Sequence, residues 1–181
     1  MWISQSTNCR TFELDELYWY LNEKSNTETR ENTYIIPMIS REPRQIVGFD
    51  AGFDKSPERI QRIVDNAPKA ERYCTDEYLG YCDIAFWGEH IRNISDKSNT
   101  HNVESVNADL RHYIPGLKRR NRCFYRSIET LHAVLSVFVD AYNKFGEAKF
   151  KYRVPTNHKS TNHAKHLHKF RDLPFCVLDF L

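Results

Sequence analysis

Residues 12–21 read Phe-Glu-Leu-Asp-Glu-Leu-Tyr-Trp-Tyr-Leu, an aromatic-rich run that predicts a β-strand. Period-two alternation puts Asp15 on one face with Leu17 and Trp19. A carboxylate on an apolar strand face is costly unless it is paired or holds a metal. The sheet that receives this strand therefore has to bring something to Asp15.

The rest of the chain supplies a mixed sheet. Residues 22–32 are polar and predict a turn or hairpin loop, residues 34–39 a second strand and residues 45–49 a third. Pro37 interrupts the second strand and implies a bulge or an edge position, since proline avoids central strands. Ser56-Pro57-Glu58 is a helix start, with Ile60, Ile63 and Val64 as its buried stripe and Pro68 as its end. Residues 71–75 predict a short strand with Asp76 at its C-terminal end, residues 79–87 a helix, residues 90–94 a fifth strand and residues 96–99 a loop. A helix from about Asn102 carries the apolar stripe Val103, Val106, Leu110, Ile114 and Leu117, with Glu104, Asn107 and Arg111 on the adjoining polar face. Pro115-Gly116 breaks or kinks it. The last helix spans residues 127–145, with Gly146 as its C-cap. Strands alternating with helices in this order predict an α/β fold, a mixed five-stranded sheet with helices on its faces.

Three acidic landmarks stand out in that order: Leu14-Asp15-Glu16, Thr75-Asp76-Glu77 and Glu104 on its helix. Hard divalent cations take oxygen ligands, and Mg²⁺ is commonly held by one or two carboxylates plus substrate phosphates. Asp15 in a strand, Asp76 at a neighbouring strand end and Glu104 on a covering helix could form such a cage. With 24 acidic residues in the chain, chance triplets are also expected. Glu16 and Glu77 point to the opposite strand faces if the strands are regular, which leaves them outside the set. His90 and His101 lie near enough in the sequence to assist proton transfer, although core or surface roles are commoner.

Charge is unevenly placed. Residues 1–110 hold 12 Lys/Arg and 19 Asp/Glu, a net −7, whereas residues 111–181 hold 14 and 5, a net +9. A basic half beside an acidic one suits a polyanion surface next to a carboxylate site. Lys118, Arg119, Arg120, Arg122 and Arg126 form the densest candidate phosphate-binding patch, with Phe124 and Tyr125 better suited to packing than to base stacking. The five cysteines, Cys9, Cys74, Cys82, Cys123 and Cys176, include no Cys-x-x-Cys pair, which argues against a zinc ribbon and for reduced, packed thiols. His158, His163, His166 and His168 match no zinc spacing and fit a basic tail. No apolar run approaches the roughly 20 residues that span a bilayer, and no signal peptide opens the chain, so the expected location is the cytoplasm, away from membranes.

The segments around Asp15, Asp76 and Glu104-Ser-Val-Asn-Ala-Asp-Leu-Arg111, followed by Leu117-Lys-Arg-Arg120, Phe124 and Arg126-Ser-Ile-Glu-Thr-Leu-His132, resemble the DDE transposases of bacterial insertion sequences. The likeness is to the family of the first-described insertion sequence, and it covers residues 12–145. It implies a ribonuclease H-like fold over residues 1–146, with residues 147–181 as a basic His-rich tail. It implies Asp15, Asp76 and Glu104 as catalytic ligands of Mg²⁺ or Mn²⁺. In that reading water or a DNA 3′-hydroxyl attacks a phosphodiester, first nicking a transposable element's end and then joining it to a target. Asn107 and Arg111 would orient the carboxylate or contact DNA phosphates, with ordinary surface polarity an equal alternative. The implied partners are double-stranded DNA, further copies of the chain in a synaptic complex, and a DNA-binding region encoded upstream. The competing expectations are an inactive, truncated remnant that only binds nucleic acid, and a ribonuclease H-like nuclease or resolvase.

Overall fold

The computed structural model describes residues 10–21, 31–92, 99–118 and 124–151, with residues 145–151 as backbone alone. Its strands are β1 (Thr11–Leu14), β2 (Leu17–Leu21), β3 (Glu31–Ser40), β4 (Gln45–Gly52), β5 (Arg72–Thr75) and β6 (Glu89–Arg92). Its helices are α1 (Pro57–Asn66), α2 (His101–Tyr113) and α3 (Ile128–Lys151).

One mixed sheet organises the molecule. β3 pairs antiparallel with β4 on one side and with both β1 and β2 on the other. β1 pairs in parallel with β5, and β5 in parallel with β6. Side chains alternate between two cores. Phe12, Leu14, Ile36 and Met38 pack against Ile60, Ile63 and Val64 of α1. Leu17, Trp19, Ile35 and Ile39 pack against Val103, Val106 and Leu110 of α2 and Leu131, Leu135 and Phe138 of α3. Helices thus cover both faces, as the sequence pattern predicted, and the hydrophobic burial follows the period-two and period-3.6 stripes.

The expected first strand is broken in two, so six strand segments replace five. Leu14 faces Met38 and Leu17 faces Ile35, so Asp15 and Glu16 lie opposite Pro37 and Ile36 in the same register. Proline has no N–H for the ladder, and the pairing lapses at this point. Of the two places expected for Pro37, a bulge or an edge, the edge is excluded, because β3 has neighbours on both sides. A register shift does occur beside it, between Met38 and Ile39 on the β4 side.

Edge strand β4 is partly covered. Asn143 of α3 accepts from the Ile46 N–H at 2.8 Å and donates to its carbonyl at 2.9 Å, closing one edge position by side chain.

Three further expectations need correction. The helix predicted at residues 79–87 is a single 3-10 turn, Leu79–Asp83. Beyond it the Gln61 side chain takes the Ala85 N–H at 2.7 Å and donates to the Ala85 carbonyl at 3.2 Å, displacing helical bonding. Gly146 does not end the last helix, which continues to Lys151. Cys74 is buried, as a packed thiol should be, but Cys82 is exposed. Pro115 does end α2, and a 3-10 turn, Pro115–Leu117, follows. Ser56 precedes α1 but makes no side-chain cap; its carbonyl accepts from Arg59 and Ile60 instead.

Candidate metal centre

The parallel pairing of β1 and β5 builds the site. Glu13 faces Cys74 across that ladder, and two residues further on the same register brings Asp15 beside Asp76, just past the C-terminal end of each strand. Asp15, Glu16 and Asp76 each present a carboxylate oxygen, and the three oxygens lie within 4.8 Å of one another. Asp76 is held in the loop after β5, where its Oδ1 accepts the Tyr78 N–H at 3.0 Å.

α2 closes the site from the other side. Asn107, 5 % exposed, donates from Nδ2 to Asp15 Oδ2 at 2.9 Å. Its expected place on a polar helix face is therefore inside the molecule, oriented on the first carboxylate. Glu104, one turn earlier, is exposed, and its negative charge adds to the field at Asp15. Arg111, one turn beyond Asn107, is half-buried.

Electrostatics marks the cluster as unfavourable when empty. Burial, followed by the Asp76 charge, raises the Asp15 pKa to about 6. Burial and Asp76 likewise raise that of Glu16 to about 7, against the pull of Lys55. Lys55 Nζ lies 4.0 Å from Glu16 Oε2 and 3.5 Å from the centre of the Tyr78 ring. The Glu16 side chain is 7 % exposed, and its Oε1 is buried without a well-formed hydrogen bond. The buried Tyr81 hydroxyl lies beside it and favours its charged form; burial and the Glu16 charge push the Tyr81 pKa well above its ordinary value. Crowded, partly buried carboxylates with raised proton affinity are a donor set that could hold a hard divalent cation.

Glu16 corrects the sequence reading, which left it on the far strand face. That inference assumed a regular strand, and the strand is irregular at Asp15 and Glu16. The available signal was two consecutive carboxylates in residues 14–21, a stretch otherwise apolar or aromatic, since each of them there needs a partner. Glu77 is exposed, as expected outside the set. His90 on β6 meets Thr75 Oγ1 at 2.9 Å, and burial and Arg92 lower its pKa. His101 is exposed at the start of α2.

Of the basic patch, Lys118 and Arg126 are exposed, while Arg119, Arg120 and Arg122 lie outside the described residues. Phe124 packs against Tyr20, with ring centres 5.8 Å apart, and the Tyr125 ring lies over Gly116. Both aromatics therefore pack, as expected. Residues 152–181, which hold the four tail histidines, lie outside the described residues, as do Cys9, Cys123 and Cys176. No helix among the described residues is long and apolar enough to cross a membrane. No protein-family model matches this chain, and no curated protein matches it.

Proposed function

We propose that this chain is a DDE transposase catalytic domain that cleaves and joins DNA strands with Mg²⁺ or Mn²⁺. The observation that carries the proposal is the meeting of Asp15 and Asp76 at adjoining parallel strand ends, under a helix whose Asn107 is hydrogen-bonded to Asp15 and which bears Glu104. The sheet order supports a ribonuclease H-like arrangement: β4, β3, the broken β1/β2 strand, β5, β6, antiparallel over the first three and parallel over the rest.

Asp15 and Asp76 would hold the metal from the strands and Glu104 from the helix, with Glu16 adding a further oxygen. Bound there, a pair of divalent ions supplies activation of the attacking oxygen and stabilisation of the leaving one. The protein's own contribution is geometric and electrostatic. Asn107 fixes the Asp15 carboxylate by donating to Oδ2, which holds it beside Asp76. Asp15 and Glu16 release protons when a cation binds, which makes affinity rise with pH. Attack by water on a phosphodiester forms one P–O bond and breaks the bond to the 3′-oxygen, leaving a 3′-hydroxyl. That hydroxyl then attacks a second phosphodiester, displacing its 3′-oxygen and joining the strands. Exposed Lys118 and Arg126 would steer the polyanion toward the carboxylates.

The test is Asp76→Asn. Strand cleavage and joining are measured on labelled duplex DNA with Mg²⁺ or Mn²⁺, alongside thermal melting. The expected result is loss of both activities with folding retained, because a ligand charge is gone while repulsion in the empty site is relieved. Cleavage without joining in the unaltered protein would identify a nuclease instead, and normal cleavage by the variant would remove Asp76 from the mechanism.

A further inference from the structure

Glu13 is a further buried carboxylate of the opening strand, outside the Asp15–Glu16–Asp76 cluster. It is 0 % exposed and sits two residues before Asp15. Four donors converge on it. Arg41 Nε reaches Oε1 at 2.6 Å and Asn102 Nδ2 reaches the same oxygen at 2.7 Å. The backbone N–H groups of Asn102 and Val103 reach Oε2 at 2.8 and 3.0 Å. Those two N–H groups belong to the first turn of α2, where a helix leaves its donors unsatisfied. Thr100, the residue at the N-cap, contributes no side-chain bond. The cap comes from a strand about ninety residues earlier in the chain.

Arg41 extends the arrangement. Its Nη2 donates to the Asn99 carbonyl at 2.9 Å, which fixes the chain entering α2, and lies 3.7 Å from Cys74 Sγ on β5. The start of α2 is thus tied at once to β1 and, through Arg41, to the end of β3 and to β5. A second tie follows one turn on, from Asn107 to Asp15. Glu104 lies between the two ties, adjacent in sequence to Val103.

We infer that Glu13 is a positioning residue: its carboxylate caps α2 from β1 and thereby sets where Glu104 stands relative to Asp15 and Asp76. The inference rests on the proposed metal-dependent reading for its consequence, but not for its geometry. A carboxylate is suited to this place because all four of its contacts are donors. A glutamine would turn an amide N–H₂ toward at least one of them. The negative charge also lies at the positive end of the helix dipole.

The test is a double-mutant cycle of Glu13→Gln and Glu104→Gln, at one fixed pH, reading Mn²⁺ affinity by calorimetry and DNA cleavage kinetics. Displacing the support of a ligand typically costs about 10–100-fold in affinity or activity. The expected result for Glu13→Gln is a loss in that range in Mn²⁺ affinity and kcat, with KM for DNA little changed. In the Glu104→Gln background the same substitution should add almost nothing. Equal losses in both backgrounds would mean that Glu13 only stabilises the fold, and no loss in either would overturn the inference outright. Should Glu13→Gln fail to fold, Asn102→Ala removes one donor and is expected to show a smaller loss with the same dependence on Glu104. If the unaltered protein neither binds Mn²⁺ nor cuts DNA, the functional reading fails, and amide exchange then decides the positioning. Glu13→Gln, or Asn102→Ala in its place, must speed exchange at the Asn102 and Val103 amides relative to those of α1, and unchanged exchange there sinks it.

Discussion

At the scale of single residues, the decisive quantity is the proton affinity of Asp15 and Glu16. Their folded-state pKa values of about 6 and about 7 lie above the ordinary carboxyl values of 3.8 and 4.5. A group shifted upward in the fold binds protons more tightly there than in the unfolded chain. Stability therefore falls as pH rises from about 4 to about 7, and levels off above that. Each tenfold change in proton affinity corresponds to about 1.4 kcal/mol. After discounting for solvent at Asp15 and for the coupling of the pair, a fall of about 2 kcal/mol is expected. Melting of metal-free protein between pH 5 and 7.5 should show it, millimolar Mg²⁺ should recover much of it at the upper end, and Glu16→Gln should flatten the slope. A melting temperature that climbs steadily over this interval would refute the assignment of strain to these carboxyls.

At the scale of elements, the sequence was informative where a period repeats and uninformative where a partner strand decides. The stripes of α1 and α2 were legible because Ile60, Ile63 and Val64, and Val103, Val106 and Leu110, recur at helical spacing and are buried. The short segment after Asp76 was misread because a side chain from another helix, Gln61, takes over its backbone bonding. Gly146 was misread because glycine permits a helix end without requiring one. Asp15 and Asp76 were legible as landmarks, whereas Glu16 was not, since its place depends on which residue of β3 lies opposite. That residue group includes Pro37, and the lapse in pairing there lets two consecutive carboxylates approach Asp76. Replacing Pro37 by valine would restore a ladder donor, worth about 1 kcal/mol. It would also return to the unfolded chain a freedom worth about 0.4–1 kcal/mol. The two offset, so the melting temperature should move little. Mn²⁺ affinity should nevertheless fall by about tenfold, as expected for a displaced ligand support. An affinity equal to that of the unaltered protein would show that the irregular strand has no part in the metal centre.

At the scale of the whole molecule, the chain separates an acidic region that holds the carboxylate cluster from a basic C-terminal region, −7 over residues 1–110 and +9 over residues 111–181. Under the proposed function the carboxylates alone would repel DNA, so the basic residues that follow α2 would have to supply the attraction. Lys118 and Arg126 are exposed on either side of the residues that hold Arg119, Arg120 and Arg122. Contacts of this kind are made to phosphates, and they position a duplex without reading its sequence. Each neutralised phosphate releases condensed counterions, so affinity should fall steeply with salt, by close to one log unit of slope per contact. Replacing Arg120 and Arg126 together by glutamine should flatten the log–log slope by about two units and weaken unrelated duplexes equally. Titration of labelled DNA at several salt concentrations measures both effects. Tight binding that singles out one sequence and changes little with salt would place recognition elsewhere, in base-edge contacts rather than in this patch.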